Sequence, residues 1–289
     1  MSNIVITVES GSDMPRETAE KYGIFIIPMY VQFGSESKAD GTFWPGEVCR
    51  YFAETGKIPK TSGSTPEDCR RVFDEIHRRW PEKKILHLAY SAVTTCSYQS
   101  AKIAAEGRDY VACVDTRHVT AGQTAAVVET ARQLEKQKYW DLQEAVRMAE
   151  KVIGRVRMCF VPDKLAYLRA GGRCGNLTAI CGSLLRIHPC IEIEDGFLKA
   201  KKRYRGSMRH IVPRLIPEYI ERENLDRKEI WFLHTPDFPE EIREAASKAA
   251  ADEGIRTVHW MEAGGVITTH GGPGAFAMAG FALPLQEAL

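Results

Sequence analysis

Short runs of β-branched residues alternate with amphipathic segments in the first half of the chain. The run at 4–8 contains only Ile, Val and Thr and predicts a buried strand, and the apolar runs at 84–88 and 110–115 predict two more. Strands that alternate with crossover helices predict a parallel sheet flanked by helices. From the spacing of apolar residues we expect these helices at about 15–22, 45–55, 66–79, 97–106, 121–137 and 140–153.

Local signals mark several ends of these elements. The stretch Thr-Pro-Glu-Asp that starts at Thr65 is typical of a capped helix start. Asp13 is the expected cap of the first helix. A second strand is predicted over 23–33, at a sheet edge or with a bulge because Pro28 lies inside it. The polar stretch "GSESKADG" that follows predicts a hairpin tip.

The pattern changes after residue 155. A strand at 156–161 and a short helix precede the loop "RAGGRCGN", a helix through Leu185 and two strands around Asp195-Gly196, a dipeptide typical of hairpin turns. The helical segment 207–222 contains two prolines, which predict a kink or a break. The remaining elements are expected to be strands at 229–234, 256–262 and 265–269, a helix at 239–252 and an apolar helix after the glycines that follow His270.

This organisation predicts an α/β fold with two domains, residues 1–155 and 156–289. The N-terminal domain would contain a mostly parallel sheet flanked by helices, and the C-terminal α/β domain a mixed sheet. Ligands of parallel sheets bind beyond the carboxyl ends of the strands. Three hydroxyl-rich loops are expected at those ends: "ESGSD" (9–13), "TSGST" (61–65) and "AYSAVTTCS" (89–97).

Charge and composition argue against several classes of partner. The 289 residues include 39 basic and 38 acidic ones, and a net charge of +1 gives no electrostatic footprint for nucleic acid or an anionic membrane. No apolar stretch approaches the ~18 residues of a membrane span. The start "MSNIVITVES" lacks the basic region and the long apolar region of a signal peptide. We therefore expect a cytoplasmic protein without stable membrane insertion.

The eight cysteines do not follow a metal-binding pattern. None belongs to a C-x-x-C pair, and the nearest approach to a cluster is Cys174, Cys181 and Cys190. Scattered, mostly buried thiols are a better interpretation than a zinc site. No metal and no cofactor are expected.

The stretch "THGGPGAFAMAG" (269–280) carries the strongest local signal for a ligand. Small residues after His270 allow backbone N–H groups to approach a bound group, and the positive end of the predicted apolar helix would favour an anion there. The segment "GPGAFA" formally fits the G-x-G-x-x-G/A pattern of dinucleotide sites, but too few residues follow for a second strand and its acidic residue. No phosphate-binding G-x-x-x-x-G-K-[ST] motif occurs. We expect His270 to contact an anionic ligand.

Three further features have open interpretations. The "GGR" at 171–173 is either a plain turn or a loop whose Arg173 holds an anion. The basic stretch "KAKKR" (199–203) is a solvated strand end or a surface for an acidic partner. The third feature is the combination of hydroxyl groups with His270. It is also compatible with a hydrolase or transferase that acts on a small anionic substrate, with Thr95 or Ser97 as nucleophile and His270 as base, although no G-x-S-x-G motif supports such an enzyme.

Six segments, in order and in register along essentially the whole chain, resemble the motifs of the DegV family. "VESGSDMP" is similar to the family's D-S-T-x-D-L-P opening, and "IPMYVQFGSESKADG" to its V-P-L-x-V-x-F-G stretch that ends in D-G. "KTSGSTPED" resembles K-T-S-Q-P-S-P, and "SYQSA" resembles G-T-Y-Q-S-A. "LAYLRAGGR" matches L-x-Y-L-x-K-G-G-R, and "HGGPGAFA" matches the closing H-x-G-P-G-A-L-G.

The resemblance implies a two-domain protein that binds a fatty acid and is not itself an enzyme. Members bury one acyl chain between the domains and present its carboxylate to a separate fatty-acid kinase, which forms an acyl phosphate for phospholipid metabolism. The basic segment implicated in kinase contact includes Arg203. The carboxylate contacts implied for this chain are Thr61, Ser62, Thr95, Ser97, His270 and Arg173.

The sequence departs from the family pattern at several positions. Glu9 replaces the usual aspartate, which is expected to shift a capping contact. Cys96 replaces the glycine of S-G-T and would be strained if that position required a positive φ. His188 and the stretch "RGSM" (205–208) replace lysines of the family and bear on the kinase partnership more than on the lipid site.

Overall fold

The computed structural model describes residues 2–172 and 187–284. The strands are β1 (Ile4–Glu9), β2 (Phe25–Ile27), β3 (Tyr30–Phe33), β4 (Glu36–Ala39), β5 (Lys60–Ser62), β6 (Lys84–Ala89), β7 (Val111–Asp115), β8 (Val156–Val161), β9 (Ile187–Glu194), β10 (Phe197–Arg205), β11 (Glu229–His234), β12 (Thr257–Glu262) and β13 (Phe276–Phe281). The helices are α1 (Arg16–Tyr22), α2 (Gly46–Thr55), α3 (Pro66–Arg79), α4 (Ser97–Ala105), α5 (Thr120–Leu134), α6 (Leu142–Arg155), α7 (Leu165–Gly171), α8 (Met208–Arg222), α9 (Glu240–Asp252) and α10 (Gly265–Gly271).

Four parallel strands in the order β2-β1-β6-β7 form the first sheet. Alternate side chains of a strand point to opposite faces. Ile4 and Ile6 of β1 therefore pack with α5 and α6, whereas Val5 packs with α3 and α4. This confirms the predicted parallel sheet with helices on both faces.

The second strand of the sequence prediction is in fact two strands in different sheets. Pro28 cannot donate a ladder hydrogen bond, and the chain leaves the parallel sheet at this residue. β2 ends before it, and β3 begins a separate antiparallel sheet in the order β4-β3-β5. The predicted hairpin tip is shorter than expected because Glu36–Ala39 forms β4. The stretch 61–65 is likewise not only a loop, since Thr61 lies within β5.

Helix starts in this half were predicted with mixed success. At α3, Thr65 Oγ1 accepts a hydrogen bond from Asp68 N at 3.1 Å and the Asp68 carboxylate accepts one from Thr65 N at 3.0 Å, so the predicted capping pair is confirmed. The cap predicted for α1 is wrong, because the N-cap position is Pro15 and no side chain in the described part of the chain caps that helix. The Asp13 carboxylate accepts a hydrogen bond from Gly264 N instead, at 2.7 Å.

The C-terminal part contains the predicted mixed sheet, in the order β10-β9-β8-β13-β11-β12 with only β11 and β12 parallel. Helices α8 and α9 cover one face of it. The other face packs against α5, which lies between the two large sheets and joins their cores. The strands of the two smaller sheets precede residue 155 and those of the mixed sheet follow it, and the domain boundary at 155 stays a prediction.

Two predictions near the C-terminus are exchanged in the structure. The predicted strand at 265–269 is helix α10, and the predicted apolar helix after the glycines is the fully buried strand β13. A short apolar run that is buried on both faces does not reveal its period, and tertiary contacts decide the outcome. His270 therefore lies in the last turn of α10, and no helix begins between the glycines and residue 284, where the described part of the chain ends.

Helix α8 is continuous through Pro213 and Pro217. The prediction of a break is therefore wrong, and the alternative prediction of a kink stays a prediction. An internal proline costs about 3 kcal/mol in a helix. Ile211, Leu215 and Ile216 are buried against the mixed sheet, and this packing offsets the cost. None of the helices in the described ranges is long and apolar enough to span a bilayer.

Candidate functional site

A cavity lies between the parallel sheet, the mixed sheet and α10. The space within it that the centre of a water molecule can occupy is about 90 Å³, and one water needs only about 10–15 Å³ measured in this way. Most of its wall is apolar, and hydroxyl groups and one imidazole are clustered within it. The lining residues are Met29, Thr61, Gly63, Tyr90, Thr94, Thr95, Val119, Thr120, Phe160, Leu168, Leu198, Leu233, Thr235, Val266, Ile267, His270, Gly271, Ala275, Phe276 and Ala277.

A contact between Thr61 and His270 joins the two halves of the chain at this cavity. Thr61 lies on β5 and His270 in the last turn of α10, which packs against β5 and β3. The Thr61 Oγ1 and His270 Nε2 atoms are 2.9 Å apart. Two polar side chains that are 209 positions apart in sequence are thus within hydrogen-bonding distance in the fold.

Thr95 brings a second hydroxyl to the cavity from the start of α4. Its Oγ1 lies 3.1 Å from Ser97 Oγ, which also accepts a hydrogen bond from Ser64 N at 3.1 Å. A β-carbon built at Gly63 would lie 2.5 Å from Ser97 Oγ and 2.6 Å from Thr95 Oγ1. The two segments can therefore approach only because residue 63 is a glycine.

The positive helix end expected near the ligand comes from a different helix than predicted. The sequence argument placed it after the glycines, where β13 occurs. Helix α4 instead begins beside Thr95, and the side chain of its N-cap residue, Cys96, makes no capping hydrogen bond. Thr95 Oγ1 accepts a long hydrogen bond, 3.4 Å, from Ser97 N, the first N–H of this helix. The free N–H groups of a first helical turn favour an anion.

Some of the residues predicted to bind the carboxylate line the cavity, and others do not. Thr61, Thr95 and His270 line the same cavity. Ser62 is exposed on β5, and Ser97 is buried but does not line the cavity. Arg203, the predicted partner contact, is exposed on β10, and Arg173 lies outside the described residues.

Four of the described lining residues carry a hydroxyl group and were not predicted as ligand contacts: Tyr90, Thr94, Thr120 and Thr235. Thr94 donates to Ser91 O at 2.9 Å, and Thr235 accepts from Ala275 N at 2.8 Å. Thr120 donates to the Asp13 carboxylate. Thr94 lies next to Thr95 in a loop whose hydroxyl content already indicated a site. Thr235 directly follows β11, a position that a rule about strand ends could have identified.

Glu9 supports the loop that carries Thr94 and Thr95. Its carboxylate accepts hydrogen bonds from Tyr90 N at 2.8 Å and from Gln123 at 3.2 Å, and His87 Nε2 lies 3.4 Å from its other oxygen. Burial alone would raise the pKa of Glu9, but His87 and the Tyr90 N–H stabilise the carboxylate and hold its pKa below the ordinary value. Cys96 has φ −81°, so this position does not require the left-handed conformation.

The apolar wall is formed largely by one face of the mixed sheet. Ala277 on the central strand β13 pairs with Phe160 on one side and Leu233 on the other. Leu168 and Leu198 add further apolar side chains. The small side chain of Ala277 between two large neighbours leaves room for a ligand. The cavity therefore fits a molecule with an apolar body and a hydrogen-bonding, anionic group.

The zinc possibility cannot be placed among the described residues. Cys190 is buried in β9 near Cys159, while Cys174 and Cys181 lie outside the described ranges. Within 2–172 and 187–284, no group of three or more His, Cys, Asp or Glu side chains is arranged to hold a metal ion.

Comparison with known proteins places the chain in one family. A family model described as "Uncharacterised protein, DegV family" matches residues 3–282. A DegV domain-containing protein of Caldanaerobacter subterraneus is 29% identical over 279 residues, which are 95% of this chain and 97% of that protein.

Two solved structures have the same fold over nearly the whole chain. One, described as showing fatty acid binding of a DegV family protein from Thermus thermophilus, is 26% identical with a TM-score of 0.86 and covers 97% of this chain and 99% of that one. The other, a DegV lipid-binding protein from Thermotoga maritima, is 25% identical with a TM-score of 0.82 and covers 98% and 99%. The chain belongs to the DegV family.

Proposed function

We propose that this protein binds a long-chain fatty acid, with its acyl chain in the cavity and its carboxylate at Thr61, Thr95 and His270. The observation that carries the proposal is one cavity that combines an apolar wall with the Thr61–His270 contact at 2.9 Å. The fatty acid binding described for the Thermus thermophilus relative supports it.

The energetics of such a ligand agree with the two kinds of lining. Each buried methylene favours binding by about 0.8 kcal/mol, so a sixteen-carbon chain gains on the order of 10 kcal/mol before ordering and association losses. Burying a carboxylate without partners costs several kcal/mol, and hydrogen-bond donors must therefore meet it. Hydroxyl groups and one imidazole bind a carboxylate less tightly than a bidentate arginine would, which suits a carrier whose cargo reacts elsewhere.

The bound acid is, in this proposal, the substrate of a separate fatty-acid kinase. The kinase transfers the γ-phosphoryl group of ATP to a carboxylate oxygen, which gives an acyl phosphate and ADP. The exposed position of Arg203 on β10 supports its role as a partner contact. Hydroxamate trapping of the acyl phosphate, with the kinase subunit of the same organism, tests this step. An unchanged yield with Arg203→Glu contradicts a role for this residue.

Extraction of the purified protein with organic solvent, followed by mass spectrometry, tests binding. We expect one equivalent of fatty acid; preparations from several expression hosts without any fatty acid contradict the proposal. After lipid removal, calorimetry with hexadecanoic acid should show a weaker complex for Thr61→Ala. Thr257→Ala, which removes an exposed strand threonine on β12, serves as the matched control.

The enzymatic alternative predicts a different result. A hydrolysis of small esters that is lost in His270→Ala would favour a hydrolase that uses Thr95 or Ser97 over a carrier. The structure offers this alternative no specific support, because the Ser97 hydroxyl lies against Thr95 Oγ1 and Ser64 N.

A further inference from the structure

Two buried carboxylates from the first half of the chain meet the start of α10. Asp13 lies four residues after the end of β1 and Asp40 directly follows β4, and the two residues are 8% and 7% exposed. Asp13 Oδ1 accepts a hydrogen bond from Gly264 N and Asp40 Oδ1 accepts one from Gly265 N, each at 2.7 Å. These N–H groups belong to the first turn of the helix, where they have no partner within the helix.

The point where the two acids meet has no space for a side chain at Gly264, the residue directly before α10. A β-carbon built at Gly264 would lie 2.9 Å from Asp40 Oδ1 and 3.2 Å from Asp13 Oδ1. Burial raises the pKa of Asp13 well above its ordinary value, and the nearby charge of Asp40 raises it further. Such a pair is costly to bury, which argues that it does more than fill space.

Both carboxylates are also connected to the cavity. The remaining oxygen of Asp13 accepts from the hydroxyl of Thr120, a lining residue. The other oxygen of Asp40 accepts from Ser10 Oγ at 3.1 Å, and the same Ser10 Oγ accepts from the N–H of Met29, also a lining residue, at 3.0 Å. The two acids thus fix lining residues of the first half relative to α10.

Helix α10 has only seven residues and is held at both ends by the first half of the chain. Its first turn is bound by Asp13 and Asp40, and in its last turn His270 contacts Thr61 at 2.9 Å. A shift of the first turn of α10 relative to Asp13 and Asp40 therefore moves the His270 imidazole relative to Thr61 on β5. A displacement on the order of 1 Å is enough to break a hydrogen bond.

We propose that Asp13 and Asp40 are positioning residues for the ligand's carboxylate, because they seat α10 so that His270 faces the polar end of the cavity. This inference rests on the proposed fatty-acid binding. Neither acid lines the cavity. Val266 and Ile267 of α10 form only part of an apolar wall that is built largely from the mixed sheet. Their loss should therefore weaken headgroup recognition selectively.

The test compares hexadecanoic acid with hexadecan-1-ol, which has the same tail but no carboxylate. For Asp40→Ala we expect the Kd for hexadecanoic acid to rise by about tenfold or more, because one hydrogen bond to its charged carboxylate is misplaced. The Kd for hexadecan-1-ol should stay within about threefold of the wild-type value. Asp40→Asn keeps an acceptor for Gly265 N and should recover most of the acid affinity. Asp141→Ala is the control, since Asp141 also caps a helix, α6, but does not line the cavity.

The outcomes separate this inference from the proposed function. Equal losses for acid and alcohol, or no loss for either, overturn the positioning role. If Asp40→Ala does not fold, Asp13→Ala, which removes the acceptor of Gly264 N, is measured in the same way. An unchanged ratio of acid to alcohol affinity in Asp13→Ala overturns the positioning role. Wild-type protein that binds neither compound contradicts the proposed function itself.

Discussion

Replacing Ala277 by leucine tests whether the space beside the mixed sheet is the site of the acyl chain. Ala277 lies on the central strand β13, between Phe160 and Leu233, and lines the cavity. Leucine adds three carbon atoms to this wall. Because the space is open, the larger side chain should enter it without displacing its neighbours.

The size of the effect follows from the volume that the ligand loses. If the leucine displaces about three methylene groups of the ligand, binding weakens by about 2.4 kcal/mol at ~0.8 kcal/mol each. This corresponds to a Kd for hexadecanoic acid that is about 50-fold higher. The ligand-free variant should be at least as stable as the wild type, because filling an apolar cavity adds contacts.

Ala279→Leu is the matched control for this experiment. Ala279 is fully buried on the same strand, two residues further on, but does not line the cavity. Leucine there overpacks the core and should cost about 1–3 kcal/mol of stability, with little effect on affinity in the protein that remains folded.

Calorimetric titration of delipidated protein, together with thermal unfolding of the ligand-free protein, measures both effects. An Ala277→Leu variant that binds as tightly as the wild type refutes the placement of the acyl chain. A loss of stability equal to that of Ala279→Leu shows that the space beside Ala277 is not open.

Further predictions concern the approach of the two polar loops and the ion pair of Glu229 on the mixed sheet with Arg132 on α5. Gly63→Ala should weaken fatty-acid binding by about tenfold, because the added β-carbon would lie 2.5–2.6 Å from two hydroxyl oxygens. Gly154→Ala is the control: no atom lies within 4 Å of its added β-carbon, and the Kd for the fatty acid in calorimetric titration should not change. Burial alone would raise the pKa of Glu229, but His259 and Arg132 lower it to about 2. Because the pKa of Glu229 is lower in the folded protein than its ordinary value of 4.5, the ionised carboxylate stabilises the fold at every pH above about 4.5. Glu229→Gln should therefore cost about 3 kcal/mol in denaturant unfolding at pH 7, a difference that shrinks as the pH falls from about 5 to about 2. A cost that does not change with pH contradicts this assignment.

The parallel half of the fold could be predicted because its signals are local. Four consecutive residues, beginning with Thr65, determine the start of α3. Each strand of the first sheet is a short apolar run between turn residues. The strand that changes sheets at Pro28 was only partly anticipated, because a proline reveals where a ladder ends but not which sheet the chain enters next.

The candidate site was predictable in part for the same reason. Thr61, Thr95 and His270 lie in distinctive hydroxyl-rich or glycine-rich stretches. Asp13 and Asp40 form hydrogen bonds with residues 251 and 225 positions away, contacts that no local pattern encodes. The exchange of strand and helix around the terminal glycines has the same cause, since burial by distant strands decides between the two.

The orientation of a bound fatty acid is the most direct test of the account. A crystal of the protein with a fatty acid that carries bromine on its terminal carbon would locate both ends of the ligand, the bromine by its anomalous signal. We expect the carboxylate within hydrogen-bonding distance of Thr95 and His270 and the bromine at the apolar wall beyond Ala277. A bromine peak at His270, or a ligand outside the cavity, would contradict the account.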